Sequence, residues 1–371
     1  MAFLFLHKPK TMRVLGIMNG TSLDGVDFVL VDIVKTKLSC AFKKIKSFSF
    51  SNELRGKLSL AASHKMEVDQ LALLHHELGR FYATCFKKLN FGKIDLIGLH
   101  GQTVFHRGKV ASLQIGEPSY LAAMAKCPVV SDFRVADIAL DGQGAPIATF
   151  FHQNIFGSLA KKLSVHNLGG ISNLTLISGG QVVQGFDTGP ANMLMDLEIQ
   201  RSTAGKKKFD HQGKLAKSGT AKLELVQDMM THPYFNRRAP KSCGREEFGI
   251  HFLIKYDAEF RTMTLADRLA TLTEFIAQSV VRSYQKHADF IPTEIIFCGG
   301  GVHNTFLLEI IKMYMPETKI STVADYGWPS QSIEGAAFAL LAAAKVLNKP
   351  SNIPQSTGAK KKISLGKITH I

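Results

Sequence analysis

Gly16-Ile-Met-Asn-Gly-Thr-Ser-Leu-Asp-Gly-Val-Asp-Phe-Val-Leu-Val-Asp32 is the stretch that decides the fold. Residues 14–18 form a short apolar run that predicts a strand. It stops at Asn19-Gly20-Thr21-Ser22, where small residues and hydroxyls leave backbone N–H groups free. Asp24-Gly25 is a tight-turn dipeptide, and residues 26–33 alternate back into a second strand. A turn of this kind, with carboxylates close by, can hold a phosphate chain and its magnesium. It matches neither common nucleotide fingerprint, since there is no Gly-x-x-x-x-Gly-Lys-Ser/Thr and no helix follows at once. Taken alone, the segment is also open to reading as an ordinary hairpin turn.

Two further segments share the grammar. Lys162-Leu-Ser-Val-His-Asn-Leu-Gly-Gly-Ile-Ser-Asn-Leu-Thr-Leu-Ile177 is again strand, Gly/Ser/Asn turn, strand. Glu294-Ile-Ile-Phe-Cys-Gly-Gly-Gly-Val-His-Asn304 is an apolar strand running into three glycines, with helical sequence after it. Two phosphate-type hairpins far apart, plus a late strand ending in a Gly-rich elbow, predict a duplicated architecture with a nucleotide cleft. That pattern is similar to the sugar kinase/actin superfamily. The fold expected is therefore α/β and two-lobed, ribonuclease H-like, with two mixed sheets and flanking helices.

Narrower motifs follow in order along the chain: Gly20-Thr-Ser-Leu-Asp-Gly-Val-Asp27, Leu99-His-Gly-Gln-Thr-Val-Phe-His106, Asp132-Phe-Arg134 and Gly142-Gln-Gly-Ala-Pro146. After them come Asn167-Leu-Gly-Gly-Ile-Ser-Asn173, Gly185-Phe-Asp-Thr-Gly-Pro190, Gly244-Arg-Glu246 and Glu334-Gly-Ala-Ala-Phe-Ala339. Together they resemble the anhydro-N-acetylmuramic acid kinase family, from about residue 13 to the end. The chain departs from the family pattern at five places. Asn19 stands where Ser is usual, Ala191 where Gly is usual, Cys243 replaces a Thr, Pro329-Ser330 lacks an acid, and Gly335 stands where Ala is usual.

Composition bounds the answer independently. A chain of 371 residues predicts two domains of ordinary size. We place them at 1–131 with 348–371, carrying the first phosphate hairpin, and at 132–347, carrying the second. Apolar content of 45% with 20% charged residues is globular. No stretch approaches the ~20 apolar residues needed to span a bilayer. Residues 1–7 are too short for a signal-peptide core and read as a loose extension, with Met12 an alternative start. Five scattered cysteines with no Cys-x-x-Cys pair argue for a reducing cytoplasm and against zinc or disulfides. The net charge of +15 comes from dispersed lysine clusters without interleaved aromatics, which predicts solvated faces rather than a nucleic-acid surface. It also favours anionic small substrates.

Periodicity predicts strands at 13–18, 26–34, 39–49, 94–99, 163–168, 173–178 and 294–298. Helices are expected near 66–89, 189–201, 212–229, 264–288, 304–315 and 332–347. The strand ending at His100-Gly101-Gln-Thr103 would place its polar end at the ligand crevice of an α/β sheet.

Asp187 lies between glycines that let the backbone approach a ligand, and it suits a general base or a helix N-cap equally well. Glu334 opens an apolar helix, where a carboxylate also complements the helix dipole. Arg134 could pair with a substrate carboxylate or sit in an ordinary surface or interdomain salt bridge. The resemblance implies more. It makes Asp187 the base and Glu334 a second reaction-centre carboxylate, in an enzyme that opens the 1,6-anhydro ring with water and phosphorylates the 6-oxygen. ATP and Mg2+ would be its cofactors, with a small sugar as partner, neither nucleic acid nor membrane involved, and a homodimer left open. Nucleotide contacts would come from Gly20, Thr21, Ser22, Leu23, Asp24, Gly25, Val26, Asp27, Asn167, Gly169, Gly170, Asn173, Gly299, Gly300 and Gly301, with Asp24 facing the metal. Sugar contacts would come from His100, Gly101, Thr103, Arg134 and Gln143. The rival readings are a kinase of the same superfamily for another sugar and a non-enzymatic actin-like nucleotide switch.

Overall fold

The computed structural model describes residues 10–20 and 23–371. The expected loose extension at residues 1–7, and Thr21 and Ser22, lie outside them. The chain divides into two compact units, Met1–Ile155 with Gln331–Ile371, and Phe156–Ser330. The boundaries therefore fall at 155/156 and 330/331 rather than at 131/132 and 347/348. The Ser332–Val346 helix goes with the first unit because it packs on that unit's central strands.

In the first unit β1 (Thr11–Met18), β2 (Gly25–Val34) and β3 (Ser39–Ser49) form an antiparallel meander. β4 (Leu96–Leu99) then joins β1 in parallel. A side hairpin, β5 (Gln102–Arg107) and β6 (Ala111–Ile115), precedes β7 (Val129–Ser131), which lies parallel to β4. In the second unit β8 (Lys162–Leu168), β9 (Ile171–Ser178) and β10 (Gln181–Pro190) repeat the meander. β11 (Glu294–Cys298) and β12 (Lys319–Thr322) extend it in parallel. A last strand of the first unit, β13 (Lys367–Thr369), caps β7 antiparallel. The sheet orders β13-β7-β4-β1-β2-β3 and β10-β9-β8-β11-β12 contain the same run, three antiparallel strands followed by two parallel ones. The duplication expected from the two hairpins is thus present in the topology. Each unit has the actin-like, ribonuclease H-like α/β arrangement and its own apolar core.

Two features of packing place the candidate residues. Gly16 in β1 and Gly98 in β4 are register partners. A Cβ on Gly16 would lie 1.7 Å from the Gly335 carbonyl oxygen, and one on Gly98 would lie 2.2 Å from that of Phe338. The Ser332–Val346 helix therefore rests on the strands backbone to backbone, with no side chain between. Its apolar character on nearly every side matches burial of almost the whole helix. In the second unit, the helix expected over 212–229 is broken into Lys214–Lys217 and Leu223–Met229. At the break a Cβ on Gly219 would meet the Ala266 backbone at 2.3 Å, so the chain crosses the start of the Leu265–Lys286 helix where only glycine fits. No helix among the described residues is long and apolar enough to cross a membrane.

Gly16→Ala should lower stability by ~1–3 kcal/mol, the usual cost of overpacking a closed contact. Gly56→Ala, in the Asn52–Ala62 helix with open space around it, should raise stability by ~0.4–1 kcal/mol. Urea melts of the two variants should move in opposite directions. A neutral Gly16→Ala would remove the backbone contact as the reason the helix sits where it does.

Candidate active site

In the first unit β1, β4 and β7 run parallel, so their C-terminal ends share one edge of the sheet. Asn19-Gly20, His100-Gly101 and Asp132-Phe-Arg134 all emerge there. The Gly20 turn is closed by the Leu23 N–H donating to the Gly20 carbonyl at 3.5 Å, with Leu23 in the left-handed region at φ 57°. Gly25 is explained by the sheet itself, since a Cβ there would meet the Phe48 carbonyl oxygen at 2.3 Å. Val26 is buried in the core, not presented to a ligand. Asp24 is an exposed carboxylate 3.9 Å from the Arg55 guanidinium. No cluster of three His, Cys, Asp or Glu able to hold a metal occurs among the described residues.

Asp27 behaves differently. Burial pushes its carboxyl above the usual range, with Ser47 Oγ donating to Oδ1 in partial compensation. It also repels Glu334, whose carboxyl is pushed up first by desolvation and then by Asp27, against the pull of Arg134. Glu334 keeps a surface open to solvent while many protein atoms surround its carboxyl. One turn on along the same helix, Phe338 packs on the His100 ring at 4.5 Å between centroids and on Phe133 at 5.4 Å. Asp27, Glu334, Arg134 and His100 thus form one group within the first unit.

Arg134 donates to the Gly144 carbonyl at 3.2 Å and lies 3.2 Å from His100 Nε2. No carboxylate approaches it within ion-pair distance among the described residues, and its neighbour Asp132 pairs with Lys367 instead. A salt bridge of Arg134, the competing reading, is not seen among the described residues. Burial lowers the Arg134 pKa to about 10, with Glu334 opposing, so the group stays charged at neutral pH. His100 is held neutral, its pKa lowered to about 3 by burial and then by Arg134, with the Gly101 and Asn19 carbonyls only partly offsetting this. Gln143 stands beside Gly144, its side chain against Gly108 in the β5–β6 turn, and Thr103 Oγ1 accepts from Gln114 Nε2 at 3.2 Å. A cavity of about 230 Å³ opens beside this group, lined among others by His100, Gly101, Gln114 and Asp132.

In the second unit one row crosses four strands. Asn167 pairs with Cys298 on one side and Asn173 on the other, and Asn173 pairs with Asp187. Gly169-Gly170 caps this row, with the Ala191 and Asn192 N–H groups bonding to the Gly170 and Gly169 carbonyls at 3.0 Å each. Gly299, at φ 82°, fits against Asn167, where a Cβ would lie 2.3 Å from Oδ1. Gly301 is likewise crowded by Leu168, whereas Gly170 and Gly300 have no protein atom within 3.5 Å of an added Cβ. Protein packing does not require glycine at those two positions, and the free space beside the backbone suits a phosphate or ribose. A larger open groove of about 730 Å³ in this unit, lined by Met230, Asn236 and Arg282, contains none of these residues.

Asp187 lies in β10 just before a bulge that ends at Gly189. The N-cap of the following helix is Ala191, so the N-cap reading of Asp187 does not hold. Its backbone is fixed by its own N–H to the Lys241 carbonyl at 3.0 Å and by Tyr234 Oη donating to its carbonyl. Oδ2 accepts the Cys243 N–H at 3.0 Å, and Oδ1 takes no hydrogen bond from the described residues. The carboxyl keeps some contact with solvent, but desolvation raises its pKa to about 7; the Cys243 N–H opposes the rise, and Glu246 and Glu247 add to it. Asp27 was expected as a nucleotide contact and not as a neighbour of Glu334, and the Cys243 amide was not assigned from sequence. The signal for that amide was the Gly244-Arg-Glu246 motif, whose loop passes beside Asp187.

The family model described as anhydro-N-acetylmuramic acid kinase matches residues 12–371. The chain is 37% identical over 374 residues to the anhydro-N-acetylmuramic acid kinase of Synechococcus elongatus, covering 96% of this chain and 99% of that one. It is 36% identical over 374 residues to that of Pasteurella multocida, covering 97% of each. Among solved structures, the activator of the 2-hydroxyisocaproyl-CoA dehydratase from Clostridium difficile with bound ADPNP is similar at a TM-score of 0.44 and 11% identity, over 90% of this chain and 94% of that one. With nearly full-length matches of this identity to a family whose motifs fall on the two sheet edges described above, the chain belongs to the anhydro-N-acetylmuramic acid kinase family.

Proposed function

We propose that this chain opens 1,6-anhydro-N-acetylmuramic acid with water and phosphorylates its 6-oxygen from ATP, yielding N-acetylmuramic acid 6-phosphate in cytoplasmic cell-wall recycling. Asp187 is the observation that carries the chemistry. One carboxylate oxygen is fixed by the Cys243 N–H, the other is unengaged, and the proton affinity is raised to about 7. A base tuned near the working pH is both substantially ionised and strong enough to accept a proton in the transition state.

In this reading a water gives its proton to Asp187 while its oxygen bonds to the anomeric carbon. The bond from that carbon to O6 breaks, O6 keeps the electron pair and attacks the γ-phosphorus, and ADP leaves. Glu334 orients the water. Arg134, a charged guanidinium with no carboxylate partner, takes the lactyl carboxylate in the two-pronged geometry suited to it. The nucleotide contacts proposed are Gly20 of the first unit and Gly169, Gly170 and Gly300 of the second. Magnesium on its phosphates would neutralise developing charge. Asp24, exposed on the turn, and Asp27, which lies near enough to Glu334 to repel it, are the carboxylates of the first hairpin that could face that cation. A half-buried arginine with no carboxylate partner among the described residues counts against a non-enzymatic nucleotide switch, which has no use for a carboxylate receptor.

Asp187→Asn should fold and bind nucleotide but lose turnover by ~10²–10⁴-fold. In the wild type, kcat/KM for the anhydro sugar should rise with pH through a midpoint near 7, as Asp187 loses its proton, and fall below it. A pH–rate profile in which that limb survives in Asp187→Asn would assign the base elsewhere.

Arg134→Ala should raise the KM for the anhydro sugar by ~10- to 150-fold, the worth of a charge-assisted hydrogen bond, while the KM for ATP stays nearly constant. It should also narrow the preference for sugars bearing the lactyl group. A loss confined to ATP would move Arg134 to the nucleotide site.

Gly170→Val should leave the melting temperature close to the wild type, since a Cβ there meets only Met193 at 3.6 Å. Calorimetry should find ATP affinity strongly reduced. Unchanged affinity would show that the phosphates do not pass this turn.

A further inference from the structure

Asn19 follows β1 directly and is 2% exposed. Its Nδ2 donates to Tyr82 Oη at 2.7 Å and to Gln102 Oε1 at 3.3 Å, and Tyr82 Oη donates back to Asn19 Oδ1 at 3.0 Å. Tyr82 is fully buried on the Val68–Lys87 helix, and burial pushes its hydroxyl pKa up, so it remains a neutral donor. Gln102, 1% exposed, opens β5 two residues after His100. The backbone runs the same way, with the His100 N–H donating to the Ile17 carbonyl at 3.0 Å.

Three buried polar side chains that satisfy one another are costly to place and hold a fixed relative geometry once placed. Apolar residues could fill the same volume without joining the two loops. One end of this link is the turn that begins at Gly20, and the other is the segment His100-Gly-Gln-Thr103. Asn19 and Tyr82 belong to neither set of proposed ligand contacts.

We propose that Asn19 is a positioning residue that fixes the nucleotide turn against the sugar-facing loop, with Tyr82 as its buried anchor. The ATP and sugar sites of the first unit are then set by one hydrogen-bonded link. This rests on the proposed function for the identity of the two ligands.

Steady-state kinetics on wild type, Tyr82→Phe, Asn19→Leu and the double variant test it. Each single variant should raise the KM for ATP and for the anhydro sugar together, by roughly 10-fold. The double variant should be no worse than the worse single one, because both break the same link. A change in only one KM, additive effects in the double variant, or a lowered melting temperature with both KM values unchanged would overturn the link. Tyr82→Phe removes a single oxygen and carries the test if Asn19→Leu does not fold. Absence of anhydro-sugar turnover in the wild type would overturn the proposed function together with the link; unequal KM changes against an active wild type overturn the link alone.

Discussion

The first unit depends on a contact made without side chains. Gly16 of β1 faces the Gly335 carbonyl so closely that even a methyl group would overlap it, and Gly98 of β4 does the same against Phe338. Because the Ser332–Val346 helix is seated by backbone, its register on the sheet is fixed to within a fraction of an ångström. Glu334 precedes the contact glycine and Phe338 follows it, so the carboxylate and the ring covering His100 are placed by the same contact. A looser helix would leave Glu334 free of Asp27 and Arg134, and its proton affinity would relax towards that of an ordinary surface acid.

The charge arrangement in each unit then has a local cause. In the first, Glu334 is raised by desolvation and by Asp27 and lowered by Arg134, which has no carboxylate within ion-pair distance among the described residues. In the second, Asp187 is desolvated and has two acidic neighbours, with one backbone N–H as its compensation. Both Asp187 and Glu334 are raised mainly by desolvation, but only Asp187 is clamped through its backbone on two sides.

Much of this was legible in the sequence because it depends on short-range chemistry. The strand–turn–strand segments were readable from alternation and turn residues, and their repetition led to two sheets of like topology. Readings that needed tertiary information fared worse. The helix expected at 212–229 breaks because Gly219 must clear the Ala266 backbone, a neighbour 47 positions away that no local pattern displays. Gly25 and Gly299 looked like phosphate-loop glycines, yet sheet packing alone explains both, while Gly170 and Gly300 are the ones left open. Asp27 was legible as an acid near the turn, but its place beside Glu334 required the fold. The domain boundaries shifted for the same reason, since the backbone contact that binds 332–346 to β1 leaves no periodic trace.

The most direct measurement is the fate of oxygen from labelled water during turnover of the anhydro sugar with ATP. If Asp187 activates water at the anomeric carbon while O6 takes the phosphoryl group, mass spectrometry should find one labelled oxygen in the sugar 6-phosphate. Fragmentation should place it on the anomeric carbon, with none in the phosphate. A product without label, or label appearing in inorganic phosphate in step with ADP, would contradict ring opening by water and reduce the protein to a simple phosphoryl transferase or an ATPase.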